Sequence, residues 1–102
     1  ANQLLEAEAA HGAAVRMRSF AEAWLALGQV RFLRGNLAGA DEAFTAAVGL
    51  RPTWAEALYS LAQVREQLGE PADAAQLYRA ALENQLAEPL AAYARDRLAR
   101  GQ

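Results

Sequence analysis

The chain has 102 residues, 54% of them hydrophobic, and a formal net charge of −2. This length suits one compact domain or a short repeat array. A slightly acidic balance argues against a nucleic-acid-binding surface, and the absence of cysteine excludes a disulfide framework, a thiol nucleophile and a cysteine-ligated zinc site. Much of the hydrophobic fraction is alanine, which favours an all-helical chain over a sheet protein.

The sequence gives little information about the compartment. No apolar run approaches the ~18 residues that a membrane span needs. The N-terminal residues include Glu6 and Glu8 and lack a basic stretch, so we expect no secretory signal. Because the chain begins at Ala1 rather than Met, we interpret it as a piece of a longer protein. The compartment therefore stays open, with the cytoplasm favoured.

Residues 2–17 are predicted to form the first helix. Side chains at steps of three and four place one face together, and these are Leu4, Ala7, His11, Ala14 and Met17. The only histidine has no second histidine or cysteine to share a metal with. We therefore interpret His11 as a packing residue and predict no metal site.

Capping residues mark where the following helices begin and end. Ser19-Phe20-Ala21-Glu22 and Thr53-Trp54-Ala55-Glu56 are two capping boxes of the same form. Gly35 and Gly69 are typical helix-ending glycines, and Pro71 suits a first helical position. Asn36 is the expected cap of the helix after Gly35. The predicted helices are 20–34, 37–48, 54–68, 71–86 and 89–100.

The chain repeats itself with a period of about 34 residues, which indicates a helical repeat array. Residues 21–54 align with residues 55–88 without a gap. The identical pairs include both small and large side chains, and they are Ala21/Ala55, Glu22/Glu56, Ala23/Ala57, Leu27/Leu61, Gln29/Gln63, Val30/Val64, Arg31/Arg65, Gly35/Gly69, Ala38/Ala72, Ala40/Ala74, Ala46/Ala80 and Ala47/Ala81.

The large and small residues of the repeat follow the pattern W-x-x-L-G, A-x-x-x-F and P, supplied by Trp24, Leu27, Gly28, Ala40, Phe44, Ala47 and Pro52. This spacing resembles the tetratricopeptide repeat family. The resemblance implies an all-α solenoid of about six antiparallel helices, stacked in a right-handed superhelix as a single domain. Its parts are a helix of a preceding repeat (1–18), repeat 1 (19–52), repeat 2 (53–88) and a last helix (89–102).

The last helix has two registers. If Pro89 corresponds to Pro52, three residues are inserted, and we favour this register. If the repeat period is unbroken, Pro89 opens a further repeat. The segment is thus either a capping helix or the start of another repeat.

The resemblance also implies a groove lined by the first helix (A) of each repeat, at positions that share one helix face. The face includes Glu22 and Glu56. The predicted partner-binding residues are Leu25, Gln29, Phe32, Tyr59, Gln63, Glu66, Tyr93 and Arg97. Tyr93 lies on this face in either register of the last helix, whereas the register decides whether Arg97 or Arg100 joins it. Some of these residues, Phe32 above all, could instead be core.

The sequence departs from the family pattern in two places that bear on the kind of ligand. Co-chaperone-type repeats clamp a terminal carboxylate with lysines and asparagines, but this chain has no lysine, which argues against that ligand. Arg31 and Arg65 replace the tyrosine of the motif. We interpret both as surface arginines that are solvated or paired with carboxylates, their stems covering apolar atoms.

The leading hypothesis is a protein–protein interaction module that binds a peptide or helix of a partner in the A-helix groove. No enzyme constellation is recognised, since the serines and threonines lack an adjacent base and no glycine-rich phosphate loop occurs. No cofactor is expected. The alternatives are a self-associating repeat element, which would form a homo-oligomer through its ends, and an accessory substrate-positioning region of a larger enzyme.

Overall fold

The computed structural model describes residues 20–101, which form five α-helices and no strand. The predicted all-α class is confirmed. A sixth predicted helix, residues 2–17, and the Ser19 capping box lie outside the described residues. In chain order the helices are α1 (20–33), α2 (Leu37–Leu50), α3 (Ala55–Gln67), α4 (Pro71–Glu83) and α5 (Leu90–Arg100).

Two glycines end α1 and α3 in the same way. Gly35 and Gly69 both have φ of 82°, a left-handed conformation that costs glycine little. After Gly35 the amide of Asn36 donates to the carbonyl of Arg31, and after Gly69 the amide of Glu70 donates to the carbonyl of Arg65. Both distances are 2.9 Å. This pair of identical C-terminal caps confirms the two helix ends that the sequence predicts.

The end of α4 differs from the prediction, which extended this helix to Leu86. The helix ends at Glu83, and Gln85 takes the left-handed conformation with φ of 65°. The amide of Leu86 then donates to the carbonyl of Ala81 at 3.1 Å. The turn that follows α1 and α3 therefore forms after α4 without a glycine. The burial of Leu86, which is 8% exposed, accompanies it.

The helix starts are partly as predicted. Asn36 caps α2, since its side-chain oxygen accepts a hydrogen bond from the amide of Gly39 at 3.0 Å, and Pro71 occupies the first turn of α4. The capping box at Thr53 is wrong. Trp54 is the cap residue of α3 and makes no side-chain cap bond. The carbonyl of Trp54 accepts the first hydrogen bond of the helix, from the amide of Leu58. Thr53 therefore lies one residue before the cap position.

Buried residues form two clusters. The first cluster joins α1, α2 and α3 through Leu25, Ala40, Phe44, Ala47, Ala57, Leu61 and Val64. The second cluster joins α3, α4 and α5 through Leu58, Tyr59, Ala62, Ala74, Tyr78, Ala81, Leu86, Ala91 and Ala94. Because α3 contributes to both clusters, it is the central helix of the described residues.

One glycine in α1 is required by close packing. A Cβ added to Gly28 would lie 2.5 Å from two ring carbons of Phe44, closer than any carbon–carbon contact allows. Phe44 is itself 2% exposed. A small residue of the pattern is expected where two antiparallel helices approach closely, and the contact with Phe44 supports that role for Gly28.

As a large residue of the W-x-x-L-G pattern, Leu27 is expected to fill the space around the crossing of two helices, but it does not lie in the core. Its side chain is 39% exposed and that of Val30 is 44% exposed. The equivalent residues of α3, Leu61 and Val64, are 5% and 0% exposed because they pack with α2 in the first cluster. The segment that the sequence assigns to the equivalent side of α1, residues 2–17, lies outside the described residues.

Arg65 links the two repeats. Its guanidinium lies 2.8 Å from a carboxylate oxygen of Asp41 in α2, and 3.5 Å and 3.4 Å from those of Glu70 and Asp73. The hydrogen bond to Asp41 is the main reason that the pKa of Arg65 is raised. Arg31, the equivalent residue, donates to the carbonyl of Gly39 at 3.0 Å. Arg65 is thus the carboxylate-paired arginine that was expected.

The burial pattern of α5 fits neither register fully. Ala91 and Ala94 are buried, as are Ala57 and Ser60, which stand at the equivalent positions of α3 when the repeat period is unbroken. In the register with three inserted residues, buried Ala62 would correspond to exposed Ala99. In the unbroken register, however, buried Ala62 corresponds to exposed Asp96, so burial does not separate the two registers.

Candidate functional site

Helices α1, α3 and α5 carry the predicted groove residues, and we call the side on which Gln29, Tyr59 and Tyr93 lie the A-helix face. Two contacts tie α3 to α5 there. The rings of Tyr59 and Tyr93 meet edge to face with centroids 6.0 Å apart, and Arg97 Nε lies 2.8 Å from a carboxylate oxygen of Glu66. Residues predicted from the family resemblance thus lie side by side on successive A helices.

A pocket of about 340 Å³, here called the α1–α3 pocket, opens on this face. Four of the eight predicted residues contribute to it: Gln29, Phe32, Tyr59 and Gln63. The full lining is Gln29, Phe32, Leu33, Phe44, Glu56, Tyr59, Ser60, Gln63 and Leu90. Its walls combine apolar side chains with a few polar groups, which is the usual make-up of a binding pocket.

Tyr59 and Gln63 form one wall. The amide nitrogen of Gln63 donates to the hydroxyl oxygen of Tyr59 at 3.1 Å. This bond leaves the carbonyl oxygen of Gln63 as an acceptor and the Tyr59 proton as a donor. Burial is the main cause that raises the pKa of Tyr59, so its hydroxyl is neutral at pH 7 and can donate to a ligand.

Tyr59 belongs to a cluster of three tyrosines. Its ring centroid lies 5.9 Å from that of Tyr78, and Tyr78 lies 6.4 Å from Tyr93, with all three pairs edge to face. Tyr93 remains 42% exposed. Such contacts hold the rings in fixed orientations, so Tyr93 offers a rigid apolar surface next to the pocket.

Glu66 and Arg97 neutralise each other. Their hydrogen bond, at 2.8 Å, is the main reason that the pKa of Arg97 is raised. Both line a different pocket of about 430 Å³, between α4 and α5. The structure therefore does not bring these two predicted residues into the α1–α3 pocket, although they lie on the same helices.

Leu25 departs from the expectation. It is 6% exposed and packs in the first cluster beside Phe44. Unlike Tyr59, which is similarly buried, Leu25 is not part of the lining of the α1–α3 pocket, so its predicted contact is not carried forward. Phe32 packs against the same cluster and also lines the pocket, which means that its two predicted roles are compatible.

The predicted set omitted five pocket residues, namely Leu33, Phe44, Glu56, Ser60 and Leu90. Glu56 was assigned to the groove face but not to the binding set. Leu90 could have been found from the unbroken repeat period, which makes it the equivalent of Glu56 in the following repeat. Leu33 is 84% exposed, and no sequence signal distinguishes it from an ordinary surface leucine at a helix end.

Other kinds of site find no support in residues 20–101. This part of the chain contains no group of three or more histidine, cysteine, aspartate or glutamate side chains that could hold a metal ion. None of its helices is long and apolar enough to span a membrane. His11 lies outside the described residues.

Comparison with known proteins agrees with the geometry. A family model described as a tetratricopeptide repeat matches three overlapping stretches, residues 1–53, 40–89 and 59–100. A search of curated proteins found no match. The three stretches together span residues 1–100, and their described parts contain the helices and glycine turns set out above, so the chain belongs to the tetratricopeptide repeat family.

Proposed function

We propose that the A-helix face binds an extended segment of another protein, with a side chain of that segment in the α1–α3 pocket. Tetratricopeptide repeats are in general non-catalytic modules for protein interaction. The observation that carries the proposal is that Gln29 and Gln63, equivalent residues of successive repeats, line one pocket with Phe32 and Tyr59.

The polar groups of the pocket suit a polypeptide backbone. A glutamine amide can both donate to and accept from peptide groups. Gln29 is exposed and Gln63 half-buried, so both are accessible to a ligand. Their recurrence at the repeat period offers the same hydrogen-bonding group at two points along an extended chain.

The apolar groups supply the contact area. Phe32 is half-buried and Leu33 84% exposed, and Tyr93 adds an exposed ring nearby. Burying an exposed leucine or phenylalanine side chain contributes about 1.5–3 kcal/mol. A partner that covers these side chains therefore gains binding energy from apolar contact, while the glutamines fix its orientation.

Selection from a library of random linear peptides displayed on phage tests this proposal. Peptides enriched on the wild-type chain should bind a Gln29→Ala/Gln63→Ala variant about tenfold more weakly, because two hydrogen bonds of roughly 0.5–1.5 kcal/mol each are lost. Gln76→Ala is the matched control, since Gln76 is an exposed residue of α4 outside the pocket. Equal affinity for all three proteins would contradict the proposal.

Self-association remains the alternative hypothesis, alongside an accessory role in a larger enzyme. Its motivation is the set of exposed apolar residues on α1, namely Phe20, Leu27, Val30 and Leu33. Sedimentation velocity at several concentrations tests it. A constant monomer mass over that range would rule it out.

A further inference from the structure

We infer that the segment bound at the A-helix face carries an arginine or lysine next to an apolar residue. The apolar side chain fills the α1–α3 pocket, and the cation pairs with Glu56 at its rim. This inference rests on the proposed function and adds the chemistry of the partner.

The charge of the pocket is the first observation. Glu56 is the single charged residue in the lining, so the pocket has a net negative charge. Glu22 occupies the same position one repeat earlier and is also exposed. The negative charge therefore extends along the starts of both helices, α1 and α3.

The availability of that charge is the second observation. Within residues 20–101 no arginine lies within 4.0 Å of the Glu56 carboxylate, whereas Glu66 is paired with Arg97 and Asp41 with Arg65. Among the described residues, Arg97 is thus paired with a carboxylate, whereas the Glu56 carboxylate has no arginine partner. With respect to residues 20–101, a cationic partner group can pair with Glu56 without displacing another cation.

The hydrogen-bonding groups beside Glu56 point the same way. One amide proton of Gln63 is used by the Tyr59 hydroxyl, and the carbonyl oxygen of Gln63 remains free to accept. Arginine presents five N–H donors and lysine three. A guanidinium or ammonium group in the pocket therefore finds acceptors in Glu56 and in Gln63, which lies about 10 Å further along α3, while an acidic group would be repelled by Glu56.

Glu56 also lies in the first turn of α3, where a carboxylate stabilises the helix dipole. A substitution must therefore separate recognition from helix stability. Glu56→Gln retains the shape and removes the charge. Glu83→Gln is the matched control, because Glu83 is an exposed residue of α4 outside the pocket and its loss changes the net charge equally.

The peptides enriched in the phage selection provide the test. We expect arginine or lysine within two positions of leucine, isoleucine, phenylalanine or methionine, well above their frequency in the input library. A synthetic peptide of the enriched sequence should bind Glu56→Gln about fivefold more weakly than the wild type or Glu83→Gln. The same peptide with its cation replaced by glutamine should bind the wild type and Glu56→Gln equally.

The possible failures are distinguishable. Enriched peptides that depend on Gln29 and Gln63 but carry no cation would overturn this inference and leave the proposed function intact. An equal loss of the cationic and the glutamine peptide on Glu56→Gln would also overturn it, because the effect would then come from the helix. The absence of any enriched peptide would count against both.

Discussion

The two repeats share a motif but not its burial. Leu61 and Val64 of repeat 2 are 5% and 0% exposed, while Leu27 and Val30 at the same positions of repeat 1 are 39% and 44% exposed. Within residues 20–101, the neighbour that covers Leu61 and Val64 is α2. A repeat of this kind therefore does not complete its own core, and its stability depends on the helix stacked against it.

The largest expected effect separates these two positions. Leu61→Ala should lower the free energy of unfolding by about 2–5 kcal/mol, as a large-to-small change in a closed core. Leu27→Ala should lower it by about 1 kcal/mol or less, because the side chain already contacts solvent. Urea denaturation of both variants measures the difference. Equal losses would show that Leu27 is covered in the folded protein as Leu61 is.

A second comparison concerns Gly28 and Ala62, the equivalent small residues. Gly28→Ala places a methyl group 2.5 Å from the Phe44 ring, which is overpacking worth roughly 1–3 kcal/mol, offset by about 1 kcal/mol of helix propensity. We expect a net loss of up to about 2 kcal/mol, measured as a lower Tm. Ala62→Gly should also destabilise, by about 1 kcal/mol. A gain in Tm for Gly28→Ala would contradict the packing described.

The smallest effect at neutral pH is expected where Tyr78 replaces the phenylalanine of repeat 1. The Tyr78 hydroxyl is buried and has no hydrogen-bond partner among the described residues. Tyr78→Phe should therefore change the free energy of unfolding by less than about 1 kcal/mol at pH 7, and we expect a gain rather than a loss because an unpaired polar group leaves the core.

The same substitution should matter more in alkali. Burial is the first cause that raises the pKa of Tyr78, followed by the charge of Glu66. A raised pKa means that the fold favours the neutral phenol, so this contribution is complete below about pH 10 and is lost as the pH rises above it. Urea denaturation between pH 7 and pH 11 should show a smaller alkaline loss for Tyr78→Phe. Part of the loss remains, because the pKa of Tyr59 is raised as well. Identical pH profiles would contradict this account.

The fold was predictable where local chemistry decides it. Gly35, Gly69, Asn36 and Pro71 end or begin helices for reasons that lie within a few residues, and the structure places each boundary within two residues of its prediction. The end of α4 was not predictable, since Gln85 adopts a conformation typical of glycine. This conformation brings Leu86 into the core. Tertiary burial, which no local pattern encodes, decided that turn.

The candidate site was predictable to the level of a helix face. The family resemblance implied that Gln29, Gln63 and Tyr59 share that face, and all three line one pocket. The sequence could not show that Leu25 packs in the first cluster, or that Glu66 forms an ion pair with Arg97. Both depend on which side chains of other helices come within reach.

The contact between Arg65 and Asp41 has a consequence for unfolding. It joins α3 to a helix of the preceding repeat, so its energy belongs to the boundary between repeats rather than to either one. The α1–α3 pocket crosses the same boundary. A ligand bound there stabilises both repeats by mass action. The cooperativity of unfolding should therefore increase with ligand concentration, and both repeats should unfold in one transition.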